Sequence, residues 1–529
     1  PRHFSKLVSL CRACGAFVVA VKTITIAEEA AAAVSAGDEG SPGDEEQQPT
    51  LKMYNEAIAS CARHGEPGMR EAFRLLDRIV VRGLRPDVFS YTGVVSACRN
   101  GNGRHGDWSA RENIEGLAER MEADGVALNV VTYGAWMHAA AMEGGIRAVR
   151  DVWARMRGGG LEPNAFCYAA VVVAFREEGL WQRAVRVVRY LLHEGSPVVP
   201  DLVCFSAAVD SCARFGRVDE AMQLYNAMRD LNVRPNEYIF NSLIFACMKA
   251  GRWQDALTIF DELAEKGIRP NVYIYTSCIS SCGKAKAWER ALDLLNQMKD
   301  DNIRPNVHAY SAAISACEKA GEWKAALDIL SEMGRNGVPP NRYSYNSCIS
   351  ACEKGAKWRT ALKLLYDLRA SKLGADMYSY SAAISACHKG FQWEKALELL
   401  DTMQSDGLKP NIIVYNAAIS ACAKCGRLDK AMEVLQAMQR ASVAPDVITF
   451  NACLSASQRA GDWRGAIEVL REMQRLHVKP DDISFRVCYY IFEEQGKHRL
   501  SRIFEDKLDE PKSKIHRVDR GGWLLLRDH

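Results

Sequence analysis

The sequence lacks most of what a membrane protein, a metalloenzyme or a disulfide-stapled miniprotein needs. Its 529 residues contain no run of 18 apolar residues, and the nearest, Gly15 to Val34, is broken by Lys22, Glu28 and Glu29, so no spanning helix is expected. There is no HExxH, no Walker loop and no GxSxG, and the eleven histidines fall without ligand spacing. His64-Gly-Glu66 has the H-x-E form of zinc deaminases but no P-C-x-x-C partner. Two CxxC pairs, Cys11/Cys14 and Cys422/Cys425, lie far apart, whereas zinc needs four ligands at close range. No metal, no cofactor, no small-molecule substrate and no catalysis are therefore expected. Net charge is also scarce, at +3, but the sum hides a partition. Between Lys22 and Lys52 stand seven acids (Glu28, Glu29, Asp38, Glu39, Asp44, Glu45, Glu46) and no base; setting them aside leaves 68 bases against 58 acids. The rest of the chain is basic.

What is present in quantity is self-similarity. Seven consecutive units starting at Leu202, Glu237, Val272, Val307, Arg342, Met377 and Ile412 are each 35 residues long, and an eighth starts at Val447. Upstream units start at Leu51, Val88, Val130 and Ala165, with lengths of 37, 42, 35 and 37. The 42-residue unit carries its excess in the glycine-rich stretch Asn100 to Asp107, a loop insertion. The organisation reads as a degenerate N-terminal repeat in residues 1–50 with an acidic disordered insertion over 23–50, then twelve tandem repeats over 51–481. A degenerate C-terminal repeat follows over 482–510, and a tail over 511–529 has no assignable role.

Within a unit, positions 4, 7, 8 and 11 are apolar; at Val307 these are Tyr310, Ala313, Ile314 and Cys317, one face of a helix. A turn at Gly321 leads to Trp323 and a second stripe, Ala326, Leu327, Leu330 and Met333, closed by Gly337 and Pro340. Each unit is thus a helical hairpin that cannot bury both faces alone, so neighbours must stack. The expected fold is all-α, a right-handed α-solenoid superhelix. Nine of the 18 cysteines occupy position 11 (Cys61, Cys98, Cys212, Cys247, Cys282, Cys317, Cys352, Cys387, Cys422) and read as small hydrophobes of the core in a reducing compartment. Tryptophan recurs at position 17 (Trp181, Trp253, Trp288, Trp323, Trp358, Trp393, Trp463) and reads as inter-helix packing.

The opposite face of the first helix carries a different ladder. Position 2 is aromatic or β-branched: Phe89, Val131, Phe166, Val203, Tyr238, Tyr273, His308, Tyr343, Tyr378, Ile413 and Ile448. Position 5 is small and polar in ten units, and position 35 is Asn or Asp in all twelve. Position 13 is basic in nine: Arg63, Arg214, Lys249, Lys284, Lys319, Lys354, Lys389, Lys424 and Arg459. Capping alone accounts for Asn or Asp before a helix. The joint pattern suits a single-stranded nucleic acid, with cations for phosphates, flat groups to sandwich bases and polar pairs for base edges.

With these residues in view, the pattern YxxxIxAxxKxGxWxxALxLLxxM…GxxPN/D resembles the pentatricopeptide repeat family, in its class of pure tandem 35-residue units, over roughly Leu51 to Asp481. The resemblance implies organellar, sequence-specific binding of single-stranded RNA, one nucleotide per repeat, in a plastid or mitochondrion. It implies that positions 5 and 35 read the base edge, position 2 wedges the base and position 13 meets the phosphate. Asn55/Asp87, Asn346/Asp376, Asn416/Asp446 and Asn451/Asp481 match the family's uracil pair. Thr92/Asn129 and Thr276/Asn306 match its adenine pair, as more weakly do Ser206/Asn236, Ser311/Asn341 and Ser381/Asn411. Asn241/Asn271 implies a pyrimidine, while Gly134/Asn164 and Ala169/Asp201 have no assignment. The wedges carried over are Phe89, Val131, Val203, Tyr238, Tyr273, His308, Tyr343, Tyr378, Ile413 and Ile448. The implied A/U-rich target is 5′-UANNAYAAUAUU-3′, with possible protein partners in an organellar RNA complex. Two rivals stand beside this reading. One is a protein-binding scaffold of tetratricopeptide type; the other is an RNA-processing factor whose catalytic domain lies beyond this chain, an option left open by Pro1 in place of Met.

Overall fold

In the computed structural model, residues 6–10, 16–35, 49–62, 64–100, 110–193, 196 and 198–509 are described, and every regular element among them is an α-helix. First helices begin at Leu51, Val88, Val130, Ala165, Leu202, Glu237, Val272, Val307, Arg342, Met377, Ile412 and Val447, each the opening residue of a sequence unit. These units are numbered here as repeats 1 to 12. A further hairpin, Asp482–Glu494 and His498–Asp509, follows repeat 12. The chain divides into two compact units, Pro1–Pro270 and Asn271–His529, holding repeats 1–6 and repeats 7–12. Within each unit, first helices of successive repeats pack on one another, and each second helix packs on the first helix of its own and of the next repeat. None of the described helices is long and apolar enough to cross a membrane.

The helix starts have a local cause. From repeat 3 onward the residue before each first helix is extended, and its Asn or Asp side chain accepts the N–H of the third helical residue, as Asn306 does from Ala309 at 2.9 Å. That satisfies one of the orphan donors of the helix end, worth about 1 kcal/mol per cap. The first helix then stops on a left-handed residue at position 15. Gly251, Gly321 and Gly461 take it without strain, but Lys286, Ala356 and Phe391 adopt it with a Cβ (φ 61°, 53° and 59°).

The apolar stripes pack largely as expected. Tyr310, Ala313, Ile314 and Cys317 are buried, and in the second helix Ala326, Leu330 and Met333 are buried. Leu327 is only half-buried, because Ile329 points into the core beside Leu330. All nine position-11 cysteines are buried free thiols. Burial pushes Cys317 and Cys387 up to about 12, so they stay protonated and inert. Position-17 tryptophans lie half-buried across the repeat boundary. A Cβ on Gly355 would meet Trp323 Cδ1 at 2.5 Å, and one on Gly390 would meet Trp358 Cδ1 at 2.4 Å. A cation at position 16 of the next repeat covers several of these rings, Lys357 on Trp323 at 5.3 Å and Arg427 on Trp393 at 4.9 Å.

One expectation needs correcting. The segment read as a disordered insertion from residue 23 is helical to Ser35, in the helix Phe17–Ser35. Ala20, Thr23, Ile24 and Ala27 are buried at helical spacing, and Glu28 accepts from Tyr54 of repeat 1. The Ala-rich run that reads as low complexity is also a strong helix former, and its one apolar face finds the first helix of repeat 1. The remaining acids from Asp38 to Glu46, the insertion after Asn100, the Cys11/Cys14 pair, Arg63 and the tail 511–529 lie outside the described residues.

Candidate nucleic-acid interface

Because first helices pack on first helices, each leaves one line of its surface uncovered, and positions 2, 5 and 13 fall on it. In each unit the position-2 side chains stand out as exposed groups, Phe89, Val131, Val203 and Tyr238 in the first and Tyr273, His308, Tyr343, Tyr378, Ile413 and Ile448 in the second, reaching 78% exposure at Tyr378. Isolated exposed aromatics are ordinary, but a row in register is not. Between Tyr343 and Tyr378 the surface dips into a cleft of ≈ 560 Å³ with Asn346 and Asp376 in its lining. A similar cleft of ≈ 570 Å³ in repeat 1 is lined by Asn55, Asp87 and Phe89.

The polar pairs at positions 5 and 35 are built in two ways. In the Asn/Asp repeats the amide and carboxylate touch: Asn55 Nδ2 donates to Asp87 at 3.0 Å, Asn346 to Asp376 at 3.1 Å, Asn416 to Asp446 at 3.3 Å and Asn451 to Asp481 at 3.0 Å. In the Thr/Asn repeats the hydroxyl turns inward instead. Thr92 donates to the Val88 carbonyl at 2.5 Å and Thr276 to the Val272 carbonyl at 2.6 Å, which leaves oxygen lone pairs outward. Their partners Asn129 and Asn306 spend Oδ1 on the helix cap, accepting from Thr132 and Ala309, so their amide N–H groups are what remains to offer. Ser311 is buried and bonds to Ser344 at 2.9 Å. Ser206 and Ser381 are half-buried on the same line, with Asn236, Asn341 and Asn411 capping the helices that follow. Asn241 lies in the first unit and Asn271 in the second.

Electrostatics follow the same geometry. Burial alone would raise the Asp376 carboxyl, but the Ser379 N–H and hydroxyl and the Asn346 amide outweigh it and hold it below the usual carboxylate range. Asp446 and Asp481 are lowered in the same way, each by hydrogen bonds that overcome burial. The position-13 cations sit in the last turn of the first helix, where the helix dipole favours them. Several have partners: Lys354 meets Glu318 at 3.4 Å, Lys389 meets Glu353 at 3.0 Å and Arg214 meets Asp210 at 3.3 Å. Arg459 donates to the Lys424 carbonyl at 3.2 Å, and Lys424 lies over Phe391 at 5.0 Å. Lys249, Lys284 and Lys319 are exposed.

Reading by position missed three features. Glu318 and Glu353, which hold the lysines, are one. Another is a closed slot in repeat 3: a Cβ on Gly134 would meet Phe166 Cδ1 at 2.5 Å, and Phe166 stacks on His138 at 6.1 Å and 6°. The position-2 ring of repeat 4 has lain down where the other rings stand. The third is a buried hydroxyl at position 3 of the repeat following each Asn/Asp pair, visible in the sequence only once the pairs are aligned with it.

Known proteins carry the same signature. The family "Pentacotripeptide-repeat region of PRORP" matches residues 200–349, "Pentatricopeptide repeat domain" 116–177 and 363–427, "PPR repeat family" 410–457, and "PPR repeat" 343–373 and 448–478. A pentatricopeptide repeat-containing protein of Arabidopsis thaliana is 26% identical over 196 residues, 35% of this chain and 53% of the relative. A chloroplastic one from the same plant is 22% identical over 37% of this chain and 22% of its own length. The mitochondrial pentatricopeptide repeat-containing protein 1 of Mus musculus is 27% identical over 29% of this chain and 21% of its length. The chain thus spans about half or less of the relatives it matches. Among solved structures, the maize pentatricopeptide repeat protein PPR10 aligns at 20% identity over 99% of this chain and 86% of its own, with a TM-score of 0.43. Its complex with an 18-nt psaJ RNA element aligns at 19% identity over 96% and 74%, with a TM-score of 0.45. Family matches that run unbroken from residue 200 to 478, over helices that start where the 35-residue units do, place this chain in the pentatricopeptide repeat family.

Proposed function

We propose that this chain binds single-stranded RNA of A/U-rich sequence, one nucleotide per repeat, and acts in a plastid or mitochondrion by occupying its site rather than by catalysis. The chloroplastic and mitochondrial names of its relatives support the organellar part. The single observation that carries the reading is the pair of opposite hydrogen-bond patterns at the floor of a row of apolar-walled clefts. An Asn/Asp pair offers a donor at position 5 and an acceptor at position 35. Uracil presents the complement on its pairing edge, a carbonyl beside N3–H. A Thr/Asn pair offers an acceptor at position 5 and a donor at position 35. Adenine presents that complement, N6–H beside N1. The position-2 rings and branched chains would sandwich each base, at about 1–3 kcal/mol per stacked base. The position-13 cations would follow the phosphates.

The test is a competition gel shift at two salt concentrations, with labelled UANNAYAAUAUU against its complement and a scrambled control. Tight, salt-sensitive binding to the probe alone is expected. Exchanging the pair in repeat 9, Asn346→Thr with Asp376→Asn, should move the ninth base preference from U to A. An unchanged preference in a binding array defeats the base-reading assignment, and binding to none of the three probes returns the scaffold reading.

A further inference from the structure

We infer that the hydroxyl at position 3 of the following repeat is a third specificity-determining group, which fixes the amide of the position-5 asparagine and so makes that repeat select uracil over cytosine. The inference rests on the RNA-binding reading above. Its basis is a closed set of hydrogen bonds that recurs with each Asn/Asp pair. Ser90 Oγ donates to Asn55 Oδ1 at 2.6 Å, Ser379 to Asn346 at 2.6 Å, Thr449 to Asn416 at 2.6 Å and Ser484 to Asn451 at 2.5 Å. Each hydroxyl is fully buried, under the cleft floor rather than in the cleft.

The association is selective within this one chain. All four Asn/Asp pairs are followed by Ser or Thr at position 3. Of the other eight pairs, six are followed by Cys, Ile, Ala or Val, among them Ile239, Ala309 and Val414. A capping role alone does not require the hydroxyl, because Asn411 caps its helix by accepting the backbone N–H of Val414 at 3.1 Å. The fold therefore accepts an apolar side chain at position 3; a hydroxyl follows every Asn/Asp pair, and elsewhere only Thr132 and Ser344 carry one, after pairs with no position-5 amide.

The chemistry explains why. An asparagine amide can face a base with its oxygen or its nitrogen, and uracil and cytosine differ by that swap: O4 beside N3–H against N4–H beside N3. Ser379 commits Asn346 Oδ1 to a bond below the cleft, and Asp376 takes one amide hydrogen from the side at 3.1 Å. The group left to meet a base is the second N–H, a donor, which matches uracil O4 and opposes cytosine N4–H. Asp376 Oδ1 accepts from Ser379 N–H and Asn346, with Ser379 Oγ 2.9 Å away, while Oδ2 has only a long 3.4 Å contact with the same amide. That oxygen is the acceptor for N3–H. Without the hydroxyl, Oδ1 is a buried acceptor with no donor, and the amide relieves the cost by turning toward water and losing its fixed face.

The test compares Ser379→Val with Ser379→Thr, using RNA probes that carry U, C or A at the ninth base. Thermal unfolding of both variants checks the fold, which Val414 and Thr449 show to tolerate either side chain at position 3. Ser379→Val is expected to cut the U-over-C preference at the ninth base by roughly five- to tenfold, the worth of about one oriented hydrogen bond. Preferences at the first and twelfth bases, read by repeats with their own Ser90 and Ser484, should not move. Ser379→Thr should keep the wild-type preference. A Ser379→Val protein that binds the probe with an unchanged U/C ratio overturns the inference and leaves RNA binding standing. Wild-type protein that binds no probe fails the RNA-binding reading itself, a different result.

Discussion

Repeats 3 and 4 and repeats 8 to 12 share one hairpin, yet only the latter keep an open surface ladder. In repeat 9 the side chain of Asn346 stands up from the helix, Tyr343 and Tyr378 are held apart, and a cleft separates them. In repeat 3, Gly134 leaves nothing at that level, and Phe166 drops into the space and stacks on His138. The basic position 13 is lost in the same place, as Met142 and Glu177. In repeat 3 the missing position-5 side chain leaves room that the Phe166 ring fills.

The largest effect expected from breaking this contrast lies in the packing. Repeats 9 and 10 each seat a glycine on the tryptophan of the repeat before, and a Cβ on Gly390 meets Trp358 Cδ1 at 2.4 Å and Cγ at 2.8 Å. Gly390→Val should destabilise by about 2–3 kcal/mol, as overpacking does, with partial relief in the double variant carrying Trp358→Ala. Repeat 3 has Ile146 in place of the tryptophan, and Glu178 takes the glycine's place in repeat 4. Glu178→Val should therefore cost less than Gly390→Val. Urea unfolding of the three proteins measures the difference.

The contrast can also be removed. Gly134→Asn alone should not read a base, since Phe166 fills the slot. Combining it with Phe166→Val, the branched residue that Val131 supplies one repeat earlier, should open the slot. The third base would then gain a preference of about tenfold, roughly one hydrogen bond's worth. Binding of probes varied only at that base decides it; a double variant still blind there would show that the ring is not what closes the repeat.

How much of this was legible in the sequence follows from what is periodic. The hairpin boundaries, the buried cysteines and the row at position 2 recur every 35 residues, so one unit informs the next, and the helices begin where the units do. Non-recurring contacts were not legible. That Phe166 lies down while Tyr378 stands depends on its neighbour Gly134, and that Lys354 meets Glu318 depends on side chains 36 residues apart. The helix Phe17–Ser35 was hidden for another reason: its Ala-rich, acidic composition belongs equally to disorder and to a helix with a partner. Ser379 and its counterparts stand in the sequence, but position 3 lies on neither the apolar stripe nor the polar line, so nothing in one unit singles them out.

A smaller effect separates the two regions electrostatically. Lys354 is partly neutralised by Glu318, so Lys354→Gln should weaken RNA binding only about threefold and make the salt dependence shallower by roughly 0.7 in log–log slope. Met142→Lys in repeat 3 should steepen it by a similar amount. Titrations at four salt concentrations give both slopes, and no change for Lys354→Gln would mean that this lysine never meets a phosphate.

The smallest expected effect is acid sensitivity, and it divides the pairs by chemistry. Asp376, Asp446 and Asp481 are held below the ordinary carboxylate range, because hydrogen bonds to the ionised form overcome burial. A depressed folded-state value means that the unfolded chain takes up protons first. The stabilisation is therefore full above the unfolded carboxylate value of about 4, and drains away as pH falls through the lower folded values. Asn411, capping the same kind of helix in repeat 11, has no proton to gain. Replacing the three aspartates by asparagine preserves a cap at each helix and removes the titration. Urea midpoints at pH 5 and pH 3 should then fall less in the triple variant than in the wild type. An equal fall in both would place the acid lability elsewhere, in the ion pairs of the second helices rather than in the floor of the clefts.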